Sequence, residues 1–410
     1  MVLEPLPITG PDVMLPGSDF LLAGVGRLLL LIGVVGFVAG LIVRRLGKRR
    51  LAQANNGSGA TASPGAASPG AASPGAASPG AASPAPKGRR PIFVMGFGIA
   101  ALIGLALSVI YRPPPFEAPI LPALPRLLPE QAFFYSKVTD LPVAAESDRW
   151  IASQKTIKLG AAFGSTVYQG WAPGIPFNPV TSQTRRIDVH LTQFKEGSFQ
   201  GPYPIADPPY IENFPVYGGD QHYLAIDVDE RRAWELIAFR RWFSRWEAGA
   251  GSTWSMDELT YPIGSTIAAG LPLLPGMVTY DEVAAGSVDH MILIGTSISA
   301  RGKFVWPARG SDGISDDPDA PPMGAWLRLK STADLSELGP QAKIIATAAQ
   351  TYGVMISDTG PGFGMRGTAD RRWDPADLHS LQTLTTDDFE AVDASSLMVS
   401  TDSMEARPSG

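Results

Sequence analysis

The sequence predicts two transmembrane α-helices followed by a mainly β outer domain, of a β-sandwich or jelly-roll-like type with a few short helices. Three observations lead to this fold class. Two long apolar runs lie near the start of the chain, a low-complexity repeat separates them, and many short strand-like segments between Gly, Pro and Asp residues follow. Apolar runs of about 20 residues are typical of membrane spans. Short strands between turn residues are typical of all-β domains.

Composition limits the function classes. The chain of 410 residues is too long for one ordinary domain, and it contains no cysteine. Disulfides, thiolate metal sites and a cysteine nucleophile are therefore excluded. After residue 112 lie 23 of the 33 Lys and Arg but 36 of the 39 Asp and Glu, which gives that part a net charge of −13. Such an acidic domain is a poor partner for nucleic acid, whose phosphates require a basic surface.

The two apolar runs, residues 20–43 and 92–111, are each long enough to cross a hydrocarbon layer of about 30 Å. Arg27 interrupts the first run near its start, where a long side chain can reach the interface. Eight Lys and Arg lie in the segment 44–91 between the runs, whereas residues 1–19 hold none. The positive-inside rule therefore predicts a cytoplasmic loop and extracytoplasmic termini. The expected localisation is the cell membrane, with two spans in contact with lipid and a large C-terminal domain outside the cytoplasm.

The loop between the runs is a low-complexity segment in which ASPGA recurs from Ala62 to Pro84. It offers no bulky apolar residue to bury, and proline at every fifth position blocks a regular helix. This composition favours a disordered tether, with a docking or phosphorylated tract as the alternative.

Composition also sets the remaining domain limits. Proline-rich residues 112–130 predict a stiff stalk beyond the second run. The β-rich domain is expected over residues 131–393, and residues 394–410 are expected to form a flexible tail.

Strands are predicted from alternating apolar and polar residues. Residues 222–239 alternate, turn at the polar DERR and alternate again, which predicts a hairpin. An aromatic-rich helix over residues 230–247 is the alternative. Further strands are expected from Asp289, from Lys303 and from Gly324. In the last of these, alternation places Ala325, Leu327 and Leu329 on one face and Trp326, Arg328 and Lys330 on the other.

Two helices are predicted from their end signals. Pro340 suits a first turn and Gly353 suits a C-terminal cap, with an apolar stripe between them. The strand VMISD follows at once. Asp374 and Pro375 are typical of the N-cap and first position of a second, short helix.

Several segments together resemble a family of exported bacterial and fungal proteins without an established function. They are PYPIADPPYIENFPVYGGDQHYLAIDVD, AGLPLLPGMVTYDEVAAGSVDHMILIGT, VWPARG, PPMGAWLRLK, TYGVMISDTG and DDFEAVDAS, which span about residues 201–395. The resemblance implies a single secreted, β-rich domain and no particular reaction or catalytic residue.

Cofactor and metal motifs do not occur. The sequence contains no Walker loop, no Rossmann fingerprint, no HExxH and no GxSxG motif, and the spacing of its four histidines matches no metal pattern. The acidic loop SDGISDDPDAPP could supply oxygen ligands to Ca²⁺, but its spacing is not that of an EF-hand, which favours a solvated loop. We therefore expect no cofactor and no metal.

Acid and base side chains define the candidate catalytic residues. Asp220 and His222 have the spacing that places both side chains on one face of a strand, and Glu282 precedes His290 by eight residues. Asp358 follows an apolar strand. Imidazoles and carboxylates can shuttle protons where they converge. The alternative is that they satisfy backbone groups at strand ends.

Tryptophans give the remaining signal. Trp254 and Trp306 lie in loop-like or strand-end contexts, where exposed rings near carboxylates suit the C–H faces of sugars. Plugging the ends of the core is the alternative. The first function hypothesis is therefore a surface binding module for a glycan. The alternatives are a polysaccharide-cleaving enzyme that uses carboxylate and His residues, and a structural or partner-binding domain.

Overall fold

A computed structural model of the protein describes residues 118–165, 172–213, 219–242 and 245–408. They belong to one compact unit that begins at Pro115. The α-helices of the described part are short: α1 (Ser147–Ser153), α2 (Tyr280–Ala285), α3 (Pro340–Thr351) and α4 (Pro375–His379).

Strands form most of the regular structure. In chain order they are β1 (Leu159–Ala161), β2 (Phe177–Pro179), β3 (Arg186–Ile187), β4 (His190–Leu191), β5 (Tyr203–Pro204), β6 (Tyr223–Asp227), β7 (Arg232–Ile237), β8 (Arg240–Trp242), β9 (Arg245–Ala248), β10 (Ala250–Ser255), β11 (Ile292–Thr296), β12 (Trp326–Leu329), β13 (Val354–Thr359), β14 (Phe363–Met365) and β15 (Phe389–Ala391). The prediction of a mainly β domain with a few short helices is confirmed.

The largest sheet has six strands in the order β1-β14-β11-β13-β12-β15. Its pairs β1/β14 and β11/β13 are parallel, and the other three pairs are antiparallel. Helix α3 packs against this sheet, where Trp326 Nε1 donates to the carbonyl of Tyr352 at 2.8 Å. The sheet is therefore mixed and carries a helix, which differs from the antiparallel sheets of the expected sandwich or jelly roll.

The prediction of two transmembrane helices is corrected by this structure. No helix in the described ranges is long and apolar enough to cross a membrane. The longest of them, α3, has 12 residues and spans about 18 Å, well short of a hydrocarbon core of about 30 Å. The two predicted spans, residues 20–43 and 92–111, lie outside the described residues, as does the ASPGA repeat. The two-span fold class, the membrane localisation and the lipid contact have no support in the described residues.

A second sheet of four strands, β10-β7-β6-β2, separates two hydrophobic cores. Along β6, the side chains of Leu224 and Ile226 point into the main core. Buried side chains of the six-stranded sheet belong to the same core. Tyr223 and Ala225 point to the opposite face and enter a smaller core with Trp234. Because successive side chains of a strand face opposite sides, β6 is apolar on both faces.

The hairpin predicted over residues 222–239 is confirmed, because β6 and β7 pair antiparallel across the turn at 228–231. The alternative helix over residues 230–247 is wrong, since β7, β8 and β9 occupy that stretch. Both predicted helices form as α3 and α4. At α4 the Asp374 carboxylate accepts hydrogen bonds from the N–H groups of Ala376 and Asp377, as the cap signal predicts.

Two strand predictions need correction. The segment from Lys303 forms only an isolated bridge between Phe304 and Met323. In β12, Trp326 shares a face with Arg328 and Lys330 but is buried, and its ring packs edge-on against Phe133 with centroids 6.3 Å apart. Alternation alone could not show that another segment of the chain covers that face.

Both ends of the described chain pack onto the domain. In the expected stalk, Ala118 and Leu121 are buried, and the N–H of Leu121 donates to Asp370 Oδ2 at 3.1 Å. In the expected flexible tail, Met404 is fully buried and its carbonyl accepts the N–H of Phe133 at 2.9 Å. The structure thus differs from the predicted stalk and tail over their described residues.

Candidate functional site

The candidate site lies where the six-stranded sheet meets the four-stranded sheet. Asp358 reaches it from the carboxyl end of β13, beside a bulge. Ile294 pairs with Ile356 but Gly295 pairs with Asp358, so Ser357 is an extra residue. Its hydroxyl donates to the Ile294 carbonyl at 3.1 Å. A bulge redirects the side chain that follows it, and here that side chain is Asp358.

Arg366 is placed beside Asp358 because it directly follows β14, the other neighbour of β11. Its N–H donates to the Leu293 carbonyl at 2.8 Å. Its Nη2 lies 3.5 Å from Asp358 Oδ2, and both side chains are mostly buried. The second carboxylate oxygen, Asp358 Oδ1, accepts the N–H of Ala268 at 3.1 Å. Asp358 is thus held by one charge and one backbone donor.

The opposite wall comes from the residues before β6. The N–H of His222 donates to Glu212 Oε2 at 3.1 Å, and the N–H of Glu212 donates to the His222 carbonyl at 2.9 Å. Glu212 and His222 are 9% and 2% exposed, whereas Asp220 is exposed. Glu212, Asp220, His222, Asp358 and Arg366 are named the acid–base cluster here.

The backbone around His222 is held in an uncommon conformation. Asn213, Gln221 and Ala238 have φ values of 60°, 47° and 51°, in the left-handed region that non-glycine residues seldom adopt. The N–H of Ala238 donates to the Asp220 carbonyl at 2.6 Å and helps to fix this geometry. Each such residue costs about 1–3 kcal/mol, and such conformations concentrate at functional sites.

Burial sets the protonation of the cluster. Burial is the main cause that raises the pKa of Glu212 to about 7, and the negative charges of Asp220 and Asp358 act in the same direction. The hydrogen bond from the His222 N–H and the positive charge of Arg366 oppose this shift. Burial also raises the pKa of Asp358 to about 7, against Arg366 and with the help of Asp312 and Asp220. Both carboxyl groups therefore exchange protons near neutral pH.

His222 is neutral over the same range. Burial, together with the positive charge of Arg366, lowers the pKa of its imidazole to about 3. Its Nδ1 and the Nε of Arg366 are buried without a hydrogen-bond partner among the described residues. Unsatisfied buried polar atoms are rare in native proteins. Two of them in one cluster indicate a place for a bound polar group.

Glu282 and His290 form a separate pair at the other end of β11. His290 Nε2 lies 3.2 Å from Glu282 Oε1, and His290 Nδ1 lies 2.8 Å from the Met291 carbonyl. Glu282 Oε2 also accepts the N–H and the hydroxyl of Thr279, in the capping box of α2. Since both ring nitrogens face acceptors, the imidazolium is the form that satisfies them. The pair thus stabilises the helix start and offers no free base.

This pair predicts a bell-shaped contribution to stability. Burial opposes both charges, but the mutual attraction raises the pKa of His290 above 6.5 and lowers that of Glu282 below 4.5. The His290 contribution is complete below about pH 6.5 and is lost as pH rises through the raised pKa. The Glu282 contribution is complete above about pH 4.5 and is lost as pH falls through the lowered pKa.

We expect Glu282→Gln to lower the melting temperature most between about pH 4.5 and 6.5, with a smaller loss at pH 9. Glutamine at this position still completes the capping box, so the substitution removes mainly the charge pair. Thermal melts of both proteins from pH 4 to 9 measure the effect. A loss of equal size at every pH would contradict the charged pair.

The two tryptophans pack within or against the main hydrophobic core. Trp254 is 3% exposed, and its Nε1 donates to Glu235 Oε1 at 2.9 Å. Glu235 is itself buried and also accepts the Thr266 hydroxyl and the N–H of Leu273. Trp306 is half-buried and packs edge-on against Phe133 with ring centroids 5.8 Å apart. Neither ring joins the acid–base cluster.

Two carboxylates of the acidic loop form ion pairs with arginines of the protein. Asp316 pairs with Arg301 at 2.7 Å, and Asp319 pairs with Arg149 at 3.2 Å. Among the described residues, no group of three or more His, Asp or Glu side chains is placed to hold a metal ion.

The structure therefore brings Asp220, His222 and Asp358 together and places Glu282 with His290 elsewhere. Sequence reasoning missed Glu212 and Arg366. Glu212 follows the buried Ile211, and Arg366 follows the buried Met365. In the sequence, the available signal was a single charged residue next to apolar ones. Only the folded structure shows that Glu212 and Arg366 lie in the same cluster.

Comparison with family models, with curated proteins and with solved structures finds no match to this chain. The resemblance to exported proteins therefore gains no support from these comparisons. What the fold and site define is a mainly β protein with a buried cluster of carboxyl, imidazole and guanidinium groups, and its functional interpretation depends on that cluster.

Proposed function

We propose that the protein is a glycan-cleaving enzyme whose acid–base cluster catalyses hydrolysis of a glycosidic bond. The observation that carries the proposal is the pair of buried carboxyl groups, Glu212 and Asp358, each with a pKa of about 7. A catalytic acid or base works best when its pKa is close to the working pH. Carboxyl groups with strongly raised pKa values in one cluster are typical of active sites.

Hydrolysis needs one protonated and one ionised carboxyl group. The protonated group donates its proton to the leaving glycosidic oxygen, and the ionised group takes a proton from the attacking water. The two acidic groups act on each other electrostatically, so ionisation of one disfavours ionisation of the other. At neutral pH this coupling favours the state with a single proton on the pair.

The remaining cluster residues suit a hydroxyl-rich substrate. Neutral His222 presents an Nδ1 that no described residue occupies, and Arg366 presents its Nε in the same way. Hydroxyl groups both donate and accept hydrogen bonds, so they can satisfy both atoms. Asp220 and Asp312 add two negative charges to the charge of the carboxyl pair. The single positive charge of Arg366 does not balance this total. We therefore expect a neutral glycan, because this charge repels anionic ones.

The test is a panel of neutral polysaccharides incubated with the purified full chain, with reducing ends measured over time from pH 4 to 9. We expect release from at least one substrate, with a maximum near pH 7. Saturable glycan binding without release would contradict the enzyme and support a binding module instead. Neither binding nor release across the panel would also contradict the proposal and favour a structural or partner-binding domain.

A further inference from the structure

A cleft of about 180 Å³ lies at the amino end of β11, away from the acid–base cluster. The cluster lies near Gly295 at the other end of that strand, and five strand residues cover about 16 Å. We propose that this cleft, named the Arg126 cleft, binds a free α-amino acid with an apolar side chain. The proposal is independent of the glycan-cleaving function.

The Arg126 cleft is built by three segments that hydrogen bonds hold together. The N–H of Leu128 donates to the Tyr135 hydroxyl at 3.2 Å, which fixes the segment that carries Arg126. The N–H of Met291 donates to the Phe134 carbonyl at 2.7 Å, which places Asp289 beside the same turn. The third wall is the 3₁₀ turn Leu274–Gly276. The site is thus formed before any ligand binds.

Arg126 is an exposed cation of the cleft lining. Its guanidinium carbon lies 4.6 Å from the centre of the Tyr135 ring, a cation–π contact that orients it. It forms no ion pair with any described residue. Guanidinium binds carboxylates through two parallel hydrogen bonds. A ligand carboxylate is the group that fits this position.

Asp289 supplies the complementary charge. It is exposed, and within the described chain its carboxylate accepts only the Ser287 hydroxyl, at 3.2 Å. The other charged pair in the lining, Glu282 with His290, neutralises itself. The charges left for a ligand are therefore one cation and one anion. An α-amino acid carries both matching charges on neighbouring atoms.

The rest of the lining mixes apolar residues with polar groups such as Tyr135 and Thr279, and the cleft is small. Its hydrophobic residues are Leu124, Pro125, Leu127, Leu274, Pro275 and Met277. Pockets for drug-sized ligands occupy about 300–1,000 Å³, so this cleft suits a single small molecule. An aliphatic side chain such as that of leucine would cover the apolar wall and leave its charged end at Arg126 and Asp289.

The test is calorimetric titration of the full chain with L-leucine, leucinamide, N-acetylleucine and glycine. We expect saturable binding of leucine. The two blocked leucines should bind at least about tenfold more weakly because each lacks one charge. Glycine should also bind more weakly because it lacks the apolar group. Leucinamide or N-acetylleucine binding as tightly as leucine would overturn the proposal in favour of a peptide terminus.

Variants locate the site. Arg126→Gln should weaken leucine binding by about tenfold to a hundredfold, and Asp289→Asn should also weaken it. Lys137→Gln is the matched control, because Lys137 is an exposed cation in the neighbouring groove rather than in the cleft. Thermal melts check that each exposed substitution leaves the fold intact. No leucine binding to the wild-type chain, or equal binding by Arg126→Gln, would overturn the proposal.

Discussion

Asp358→Asn is expected to lower the rate of glycan cleavage by about 10²–10⁴-fold, the usual contribution of a general acid or base. Asparagine has nearly the shape of the protonated carboxyl group and can still accept the N–H of Ala268. It cannot exchange a proton near neutral pH. Initial rates at saturating substrate measure the loss, and Glu212→Gln should show a loss of the same order.

The same substitution is expected to stabilise the protein at pH 8. The pKa of Asp358 is raised from 3.8 to about 7 in the folded state. The favourable contribution of its carboxyl group is complete below about pH 3.8 and is lost as pH rises through about 7. Asparagine does not ionise, so its advantage over wild type should grow between pH 4 and 8, by roughly 1–3 kcal/mol.

Denaturant unfolding at pH 5 and pH 8 separates the two effects. Asp319→Asn is the matched control, since Asp319 is an exposed carboxylate paired with Arg149. It should change neither the rate nor the slope of stability against pH. A variant that loses activity and is destabilised equally at both pH values would point to damage to the fold. Unchanged cleavage by Asp358→Asn would remove Asp358 from the mechanism.

Asp370→Ala is expected to cost about 3–5 kcal/mol of unfolding free energy. Asp370 is fully buried and accepts the N–H of Leu121 at 3.1 Å. It also accepts the Nε and Nη2 groups of Arg372 at 2.9 and 2.7 Å. With alanine at position 370, Arg372 would lose one of its two carboxylate partners and keep only the ion pair with Asp281 at 2.9 Å.

Urea unfolding of Asp370→Ala and wild type measures this cost. Asp316→Asn is a control, because it breaks only the exposed pair with Arg301 and should leave the stability nearly unchanged. Limited proteolysis gives an independent measurement, since loss of the Leu121 contact should expose the chain near residue 121. A cost below 1 kcal/mol for Asp370→Ala would contradict the role assigned to this network.

Local signals predicted much of the described secondary structure. Asp374 with Pro375 marks the start of α4, and Pro340 with Gly353 brackets α3, because capping depends on neighbours a few residues away. The hairpin of β6 and β7 was also predictable, since its turn and its alternation lie within one short segment. Three of the five residues of the acid–base cluster, Asp220, His222 and Asp358, were also named from the sequence.

Sequence alone thus determined the absence of cysteine chemistry, the acidic charge, the mainly β character and the main helices, all of which depend on composition or on near neighbours. The tertiary structure decided the rest. Parallel pairing of β1 with β14 joins residues about 200 positions apart, which no local pattern encodes. Pairing of β10 with β7 lets Trp254 donate to the buried Glu235, and the ring is not exposed to solvent. Long-range packing also brought Glu212 and Arg366 to Asp358, where burial by two sheets, and not residue type, sets the pKa of each carboxyl group.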